Sequence, residues 1–303
     1  METQLPMFSW VESRRSRLGF GVQTFAWNDD PRPSASVIRA GQLAEEMGFD
    51  DFFVGDHPGY QSEPWLHLTA VAVTTERIGL GSVVNCVYHR HPVMLARLVA
   101  DLDHISGGRV VLGLGIGWND TEFAQLGISF PPVPDRQEAL EEAIQIVRGV
   151  WGPEPFTFHG KHWRTDGGHV APPPLQRPSI PLLIAGSGEK TTLRQVARYA
   201  DVCNFGSGRN VGKVRDTDDI RRKLDVLRRH CEAEGRDYEA IEKTCMVHFA
   251  IADGDAKTRE LIAELHRLAG LGIQTVIGIL SGVDPIASLE TISREVIPAV
   301  AEA

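Results

Sequence analysis

The sequence predicts a closed (β/α)8 barrel, a single TIM-barrel domain with one insertion around residues 152–180. Three observations carry this. Strand-like and helix-like patterns alternate from residue 17 to about 299, eight such pairs fit the 303 residues, and no linker divides them. Two open doubly wound sheets would need a linker.

The first strand is RLGFGVQTF (17–25), followed by a helix, SASVIRAGQLAEEMG (34–48), that Gly48 closes. FDDFFVG (49–55) is the second strand, and EPWLHLTAVAVTT (63–75) a helix with Pro64 in its first turn. RIGLGSVVNCV (77–87) is the third strand. In HPVMLARLVADLDHISGG (91–108), Met94, Leu98, Leu102 and Ile105 recur at helical spacing. RVVLGLGIG (109–117) is the fourth strand, with a loop of about twenty residues after it. Asp135 and Glu138 form a capping-box pattern that opens DRQEALEEAIQIVRGVW (135–151). Residues 152–180 break the alternation, and PFTFHGKHWRT within them reads as a hairpin. Alternation returns with IPLLIAG, EKTTLRQVARYA, DVCNFG and a helix around 214–234. It ends with IEKTCMVHFAI, KTRELIAELHRLAG, IQTVIGIL and a helix around 284–299; residues 1–16 are an N-terminal extension.

The chain carries 31 Lys and Arg against 40 Asp and Glu, a formal net charge of −9. That balance argues against nucleic acid or an anionic membrane as partner, yet permits a local anion site built from backbone amides. No apolar run reaches the ~18 residues of a membrane span, and METQLPMFSWVESRRSRLG lacks the apolar stretch of a signal peptide. Cys86, Cys203, Cys231 and Cys245 lie far apart with no CxxC pair. Reduced thiols in a cytoplasmic protein are expected, with neither disulfides nor a zinc knuckle.

Barrels of this kind place the active site at the C-terminal ends of their strands. Asp56-His57 ends the second strand. An imidazole ordinarily titrates near neutrality, and one oriented by an adjacent carboxylate can give or take a proton. His57 is therefore the candidate catalytic residue, with a turn cap beside a solvated histidine as the plain alternative. His89-x-His91 has the alternation for two metal ligands on one face. Lacking clear carboxylate partners at other strand ends, it reads better as the start of a helix, with His89 and Arg90 exposed and no metal bound.

GLGIGW (113–118) is not the dinucleotide GxGxxG. Gly113, Gly115 and Gly117 thin the barrel wall for a flat ring, or serve tight strand packing. LLIAGSGEKTTLRQVARYAD (182–201) is the strongest motif: a strand runs into Gly186-Ser187-Gly188 and a helix begins at about Glu189. Free amides and the positive helix end suit a phosphate there, and Ser187, Thr191 and Thr192 add hydroxyls. A glycine turn with a good N-cap is the alternative.

AEEMGFDDFFVGDH, RIGLGSVV with RHPVMLARLVADLDHISGGRVVLGLGIGW, and IAGSGEKTTLRQVARYADVCNFG together resemble the bacterial luciferase-like flavin and deazaflavin oxidoreductases. The resemblance runs from Gly19 to about Pro298, and its last block is most similar to the branch that uses coenzyme F420, a 5-deazaflavin. It implies a ring lying across the strand ends with its phosphate at 186–188. A bulge or non-proline cis peptide is implied in strand three, at Ser82, Val83 and Val84. The cofactor-binding residues it implies are Asp56, Ser82, Val83, Asn85, Ala185, Gly186, Ser187, Gly188 and Glu189, with His57 acting on the substrate. Deazaflavin sugar dehydrogenases carry a proton-donating glutamate directly after the glycine-rich strand; here Trp118 stands there, with Glu122 nearby.

The favoured reading is an F420-dependent oxidoreductase moving a hydride to or from a small organic molecule. An FMN-dependent monooxygenase on the same barrel is the alternative. A metal-dependent hydrolase on His89 and His91, or a cofactor carrier without turnover, are readings of other classes. The resemblance also implies a homodimer, and the apolar helices around 92–106 and 135–151 are expected to serve as its interface. Trp27, Tyr60 and the aromatic insertion at 156–163 are expected to close over the ring.

Overall fold

The computed structural model describes residues 17–24, 32–207, 213–214, 216–249, 255–280 and 285–301. Its strands are β1 (Gly19–Thr24), β2 (Asp51–Val54), β3 (Gly79–Ser82), β4 (Val110–Gly115), β5 (Leu182–Ala185), β6 (Val202–Ser207), β7 (Glu242–His248) and β8 (Thr275–Ile279). All eight pair in parallel with their sequence neighbours, and β8 returns to β1 with Gly19 opposite Thr275. The sheet is thus a closed TIM barrel, and closure removes the exposed edges an open sheet would carry. The extension 1–16 lies outside the described residues. Among those described, no helix is long and apolar enough to cross a membrane.

Strand alternation divides the core in two. Phe52 and Val54 of β2 join the large apolar layer between barrel and helices. Phe53 joins an inner cluster with Val83, Val111, Leu183, Val202 and Ile277. The ring fits because its neighbours are small: a Cβ on Gly81 would lie 3.0 Å from it, and one on Gly21 3.1 Å.

The helices are α1 (Pro33–Glu46), α2 (Pro64–Ala72), α3 (Pro92–Ser106), α4 (Asp120–Gln125), α5 (Val133–Val150), α6 (Thr192–Tyr199), α7 (Thr217–Glu234) and α8 (Asp255–Gly270). The last helical stretch is Pro285–Thr291 and Ile297–Ala301 around a π turn. Two residues of the quoted motifs tie strand starts to helix ends. Glu45 accepts the amides of Glu76, Arg77 and Ile78, and Arg109 of the SGGR turn donates to the carbonyls of Ala72, Thr75, Ile78 and Ser106. Such bonds satisfy backbone groups that burial would otherwise strand.

Several local expectations are corrected. The loop after β4 holds α4, capped by Asn119, whose side chain accepts from the Glu122 amide. Asp135 and Glu138 do not box α5, which starts behind Pro132; both carboxylates instead hold Lys161 of the hairpin, at 2.6 and 2.7 Å. On α3, Met94, Leu98 and Ile105 are exposed, and the buried face is Leu95, Ala96, Val99, Ala100 and Leu102. The hairpin itself forms as expected, Phe156–His159 against Arg164–Gly168, and is seated on α5 through Glu142 and the Trp163 indole bond to Ala139. All four cysteines are buried and free.

The third strand breaks. Its Val83–Val84 peptide is cis, where the resemblance placed a bulge or cis bond, and pairing resumes with Asn85–Cys86 against Leu114 and Gly115. The glycines of β4 serve this strand-to-strand fit. A Cβ on Gly113 would lie 2.0 Å from the Ser82 carbonyl oxygen, and one on Gly115 2.6 Å from a Val84 methyl. Gly113→Ala should therefore cost about 1–3 kcal/mol, measured as a lower urea midpoint with an unchanged slope.

Candidate active site

His57 leaves the end of β2, but its carboxylate partner is not Asp56. Its Nδ1 lies 2.8 Å from Oε2 of Glu122, and Oε1 of the same side chain accepts the Gly59 amide at 3.1 Å. Glu122 is buried at the third position of α4, where the Asn119 cap fixes it. Against a carboxylate the imidazole presents Nδ1–H, which leaves Nε2 as the nitrogen able to face a substrate. Nε2 has no hydrogen-bond partner among the described residues. Tyr60 stacks on the ring at 4.9 Å and 22°, and Trp118 meets it edge-on at 5.7 Å and 73°.

Asp56 faces a different set. Its buried carboxylate accepts from Arg90 at 2.8 and 3.0 Å, from His89 Nδ1 at 3.2 Å and from the Cys86 amide at 3.3 Å. Arg90 also pairs with Glu63, which caps α2 through the amides of Trp65 and Leu66. Burial opposes charge on Asp56, yet His89 and Arg90 hold its carboxyl below the usual range. Burial likewise opposes charge on His89, but its bond to Asp56 and the nearby Cys86 thiol raise its pKa to about 10. Neither His89 nor Arg90 is the exposed loop residue the sequence suggested. His91 turns away: Nδ1 caps the Val93 amide at 3.3 Å and Nε2 reaches the Arg164 carbonyl. The two histidines do not converge on a shared metal position.

At the end of β5, Gly186 takes φ +132°, which disfavours a side chain, and its amide donates to the Asn204 carbonyl. α6 begins only at Thr192, so Glu189–Thr191 form a turn ahead of it. This turn, Ser187, the start of α5 and Lys223 line a cleft of about 690 Å³. Lys223 is buried, with Nζ 2.9 Å from the Ser187 carbonyl and 3.2 Å from Glu189. Glu138, Glu141, Lys190 and Arg194 stand at the same cleft. Across the strand ends, Gln23 donates to the Val83 carbonyl and Asn85 to the Gly113 carbonyl, both buried. The opposite polar atoms of those amides, with Ser82 Oγ and Asn204 Nδ2, are buried without a partner among the described residues. A polar ring seated there has donors and acceptors to complete them, so the residues fit a flavin or deazaflavin.

The family described as luciferase-like monooxygenase matches residues 18–286. The chain belongs to this family. Among curated members, it is 35% identical over 186 residues to an F420-dependent glucose-6-phosphate dehydrogenase of Microbacterium testaceum, covering 57% of this chain and 53% of that one. It is 30% identical over 231 residues to an F420-dependent hydroxymycolic acid dehydrogenase of Mycobacterium tuberculosis, covering 74% and 61%. The matched stretch thus spans about half the length of the first relative. An F420-dependent secondary alcohol dehydrogenase, solved with an F420-acetone adduct, shares the fold at TM-score 0.80 and 20% identity over 94% of this chain and 99% of its own. A Streptomyces bottropensis monooxygenase does so at 0.78 and 19%, over 93% and 99%.

Sequence reading passed over Glu122 as a partner and missed Lys223 altogether. Asn119 three residues before Glu122 is a readable helix start, but nothing local says that its carboxylate turns to His57. Trp27, expected to close over the ring, lies outside the described residues.

The Asp56–His89 pair makes stability depend on pH. His89 is raised above its ordinary 6.5, so its contribution is complete below that pH and is lost as pH climbs through about 10. Asp56, lowered from 3.8, adds stability above that value that is lost on acidification through its folded pKa. Urea midpoints should fall between pH 7 and 10, and His89→Gln should flatten that slope.

Proposed function

We propose that this luciferase-like chain is an F420-dependent oxidoreductase acting on a small organic molecule. The observation that carries the reading is that the strand ends bear an imidazole, His57, whose Nε2 has no partner among the described residues, together with buried polar atoms that have none there either, while the end of β5 opens on the cleft at Ser187–Thr192. Relatives named as F420-dependent support F420 over FMN.

The amides of the Gly188–Thr192 turn ahead of α6, with Ser187 and Lys223, would bind the phosphate. Gln23, Ser82 and Asn85 would hold the polar edge of the ring, with Val83 as an apolar contact beside them. Bound F420 supplies or accepts a hydride at a substrate carbon. His57 moves the accompanying proton at Nε2, and Glu122 keeps it in the tautomer and orientation for that task. Tyr60 and Trp118 shield the imidazole from water.

Parallel fluorescence titrations with F420 and FMN test the cofactor. F420 should bind at micromolar concentration or tighter and FMN more weakly. Preference for FMN would move the reading to oxygen chemistry, and binding of neither would overturn it. With an accepted substrate in hand, His57→Ala should lower kcat by about 10²–10⁴ with F420 affinity retained; undiminished turnover would remove His57 from the mechanism.

In place of the expected pairing of α3 with residues 135–151, which expose no large apolar side chain, we also infer a homodimer formed through neighbouring helices α2 and α3. Leu66, Val73, Met94, Leu98 and Ile105 leave apolar surface exposed there, more than isolated surface residues require. Sedimentation should show a dimer that Met94→Glu with Leu98→Glu converts to a folded monomer.

A further inference from the structure

We propose that the mouth beside His57 takes a neutral carbonyl compound whose carbonyl carbon bears an aromatic or alicyclic group, and that Trp118 and Tyr60 select it. The proposal deepens the reading above and rests on it for the role of His57. The two rings flank the imidazole, whose Nε2 has no partner among the described residues, and they remain 47% and 44% exposed. Apolar walls around a single directing polar atom are the usual make-up of a small-molecule pocket.

Both rings stand on fixed backbone. Trp118 follows Gly117, whose φ of +74° and closeness to Cys86 Sγ and the Phe123 ring, 2.8 and 2.9 Å from a built Cβ, leave no room for a side chain. Buried Arg136 donates to the carbonyls of Ile116 and Gly117 and lies 4.0 Å over Phe130, anchoring the same turn. Asn119 then starts α4, its side chain accepting the Glu122 amide. Tyr60 donates its amide to the His57 carbonyl at 3.1 Å. Two aromatic faces held this way lose little entropy on binding, and they favour a flat or cyclic apolar flank over a polyhydroxylated, charged one. Glu122 does not offset this, since its oxygens are taken by His57 and Gly59. A substrate oxygen would meet Nε2 while its apolar flank lies against the indole and phenol.

Acetophenone and glucose 6-phosphate are the probes, titrated by calorimetry into the unloaded protein and into protein saturated with F420. Acetophenone should bind at least about tenfold tighter than glucose 6-phosphate. Trp118→Ala should weaken acetophenone by about tenfold, the equivalent of one aromatic contact, Trp118→Phe by no more than about threefold, and F420 affinity should not move in either. Equal or tighter binding of glucose 6-phosphate, or acetophenone binding indifferent to Trp118→Ala and Tyr60→Ala, would overturn the proposal. Failure of F420 to bind would overturn the cofactor assignment instead, because titration of the unloaded protein decides the aromatic pocket independently.

Discussion

Asp56 is the contact on which the mouth of the barrel depends. Its carboxylate has no solvent exposure, and it ties the end of β2 to the segment after β3 through Cys86, His89 and Arg90. Arg90 extends the link to Glu63 and so to the start of α2. Leaving one member of such a buried set unpaired costs about 3–5 kcal/mol, so these chain segments are held together or not at all. His57, the next residue, is thereby presented at a fixed place, where Glu122 from α4 meets it.

The same logic recurs around the mouth. Each element that bears a candidate functional group is fastened by a partner from another strand or helix. Gln23 of β1 holds the Val83 carbonyl, Asn85 holds β4, and Lys223 of α7 holds the Ser187 carbonyl. Arg136 of α5 holds the turn bearing Trp118. A site assembled from strand-end loops gains its rigidity from these crosslinks, because the loops have no ladder of their own.

Much of the fold was legible because barrel strands and helices carry periodic apolar patterns, punctuated by Gly48 and the prolines that start α2 and α3. Boundaries and faces were less legible. The apolar spacing of Met94, Leu98 and Ile105 matched a helix, yet periodicity cannot say which of two apolar stripes meets the barrel. The capping pattern at Asp135 and Glu138 failed because Lys161, more than twenty residues away, competes for both carboxylates. Within the candidate site, His57 and the Gly186–Gly188 turn were readable from their places at strand ends. The expectation that Asp56 orients His57 was wrong, since adjacency in sequence says little about which way a buried carboxylate turns.

The sequence by itself determined the order of eight strand–helix units, the glycine-rich turns and the family, because these reside in local pattern and contiguous motifs. Tertiary structure decided the partners: Glu122 for His57, His89 and Arg90 for Asp56, Lys223 for the loop at Ser187. Those pairings join residues roughly 30 to 65 positions apart. Only barrel closure, which sets strand ends beside one another, brings them within hydrogen-bonding reach.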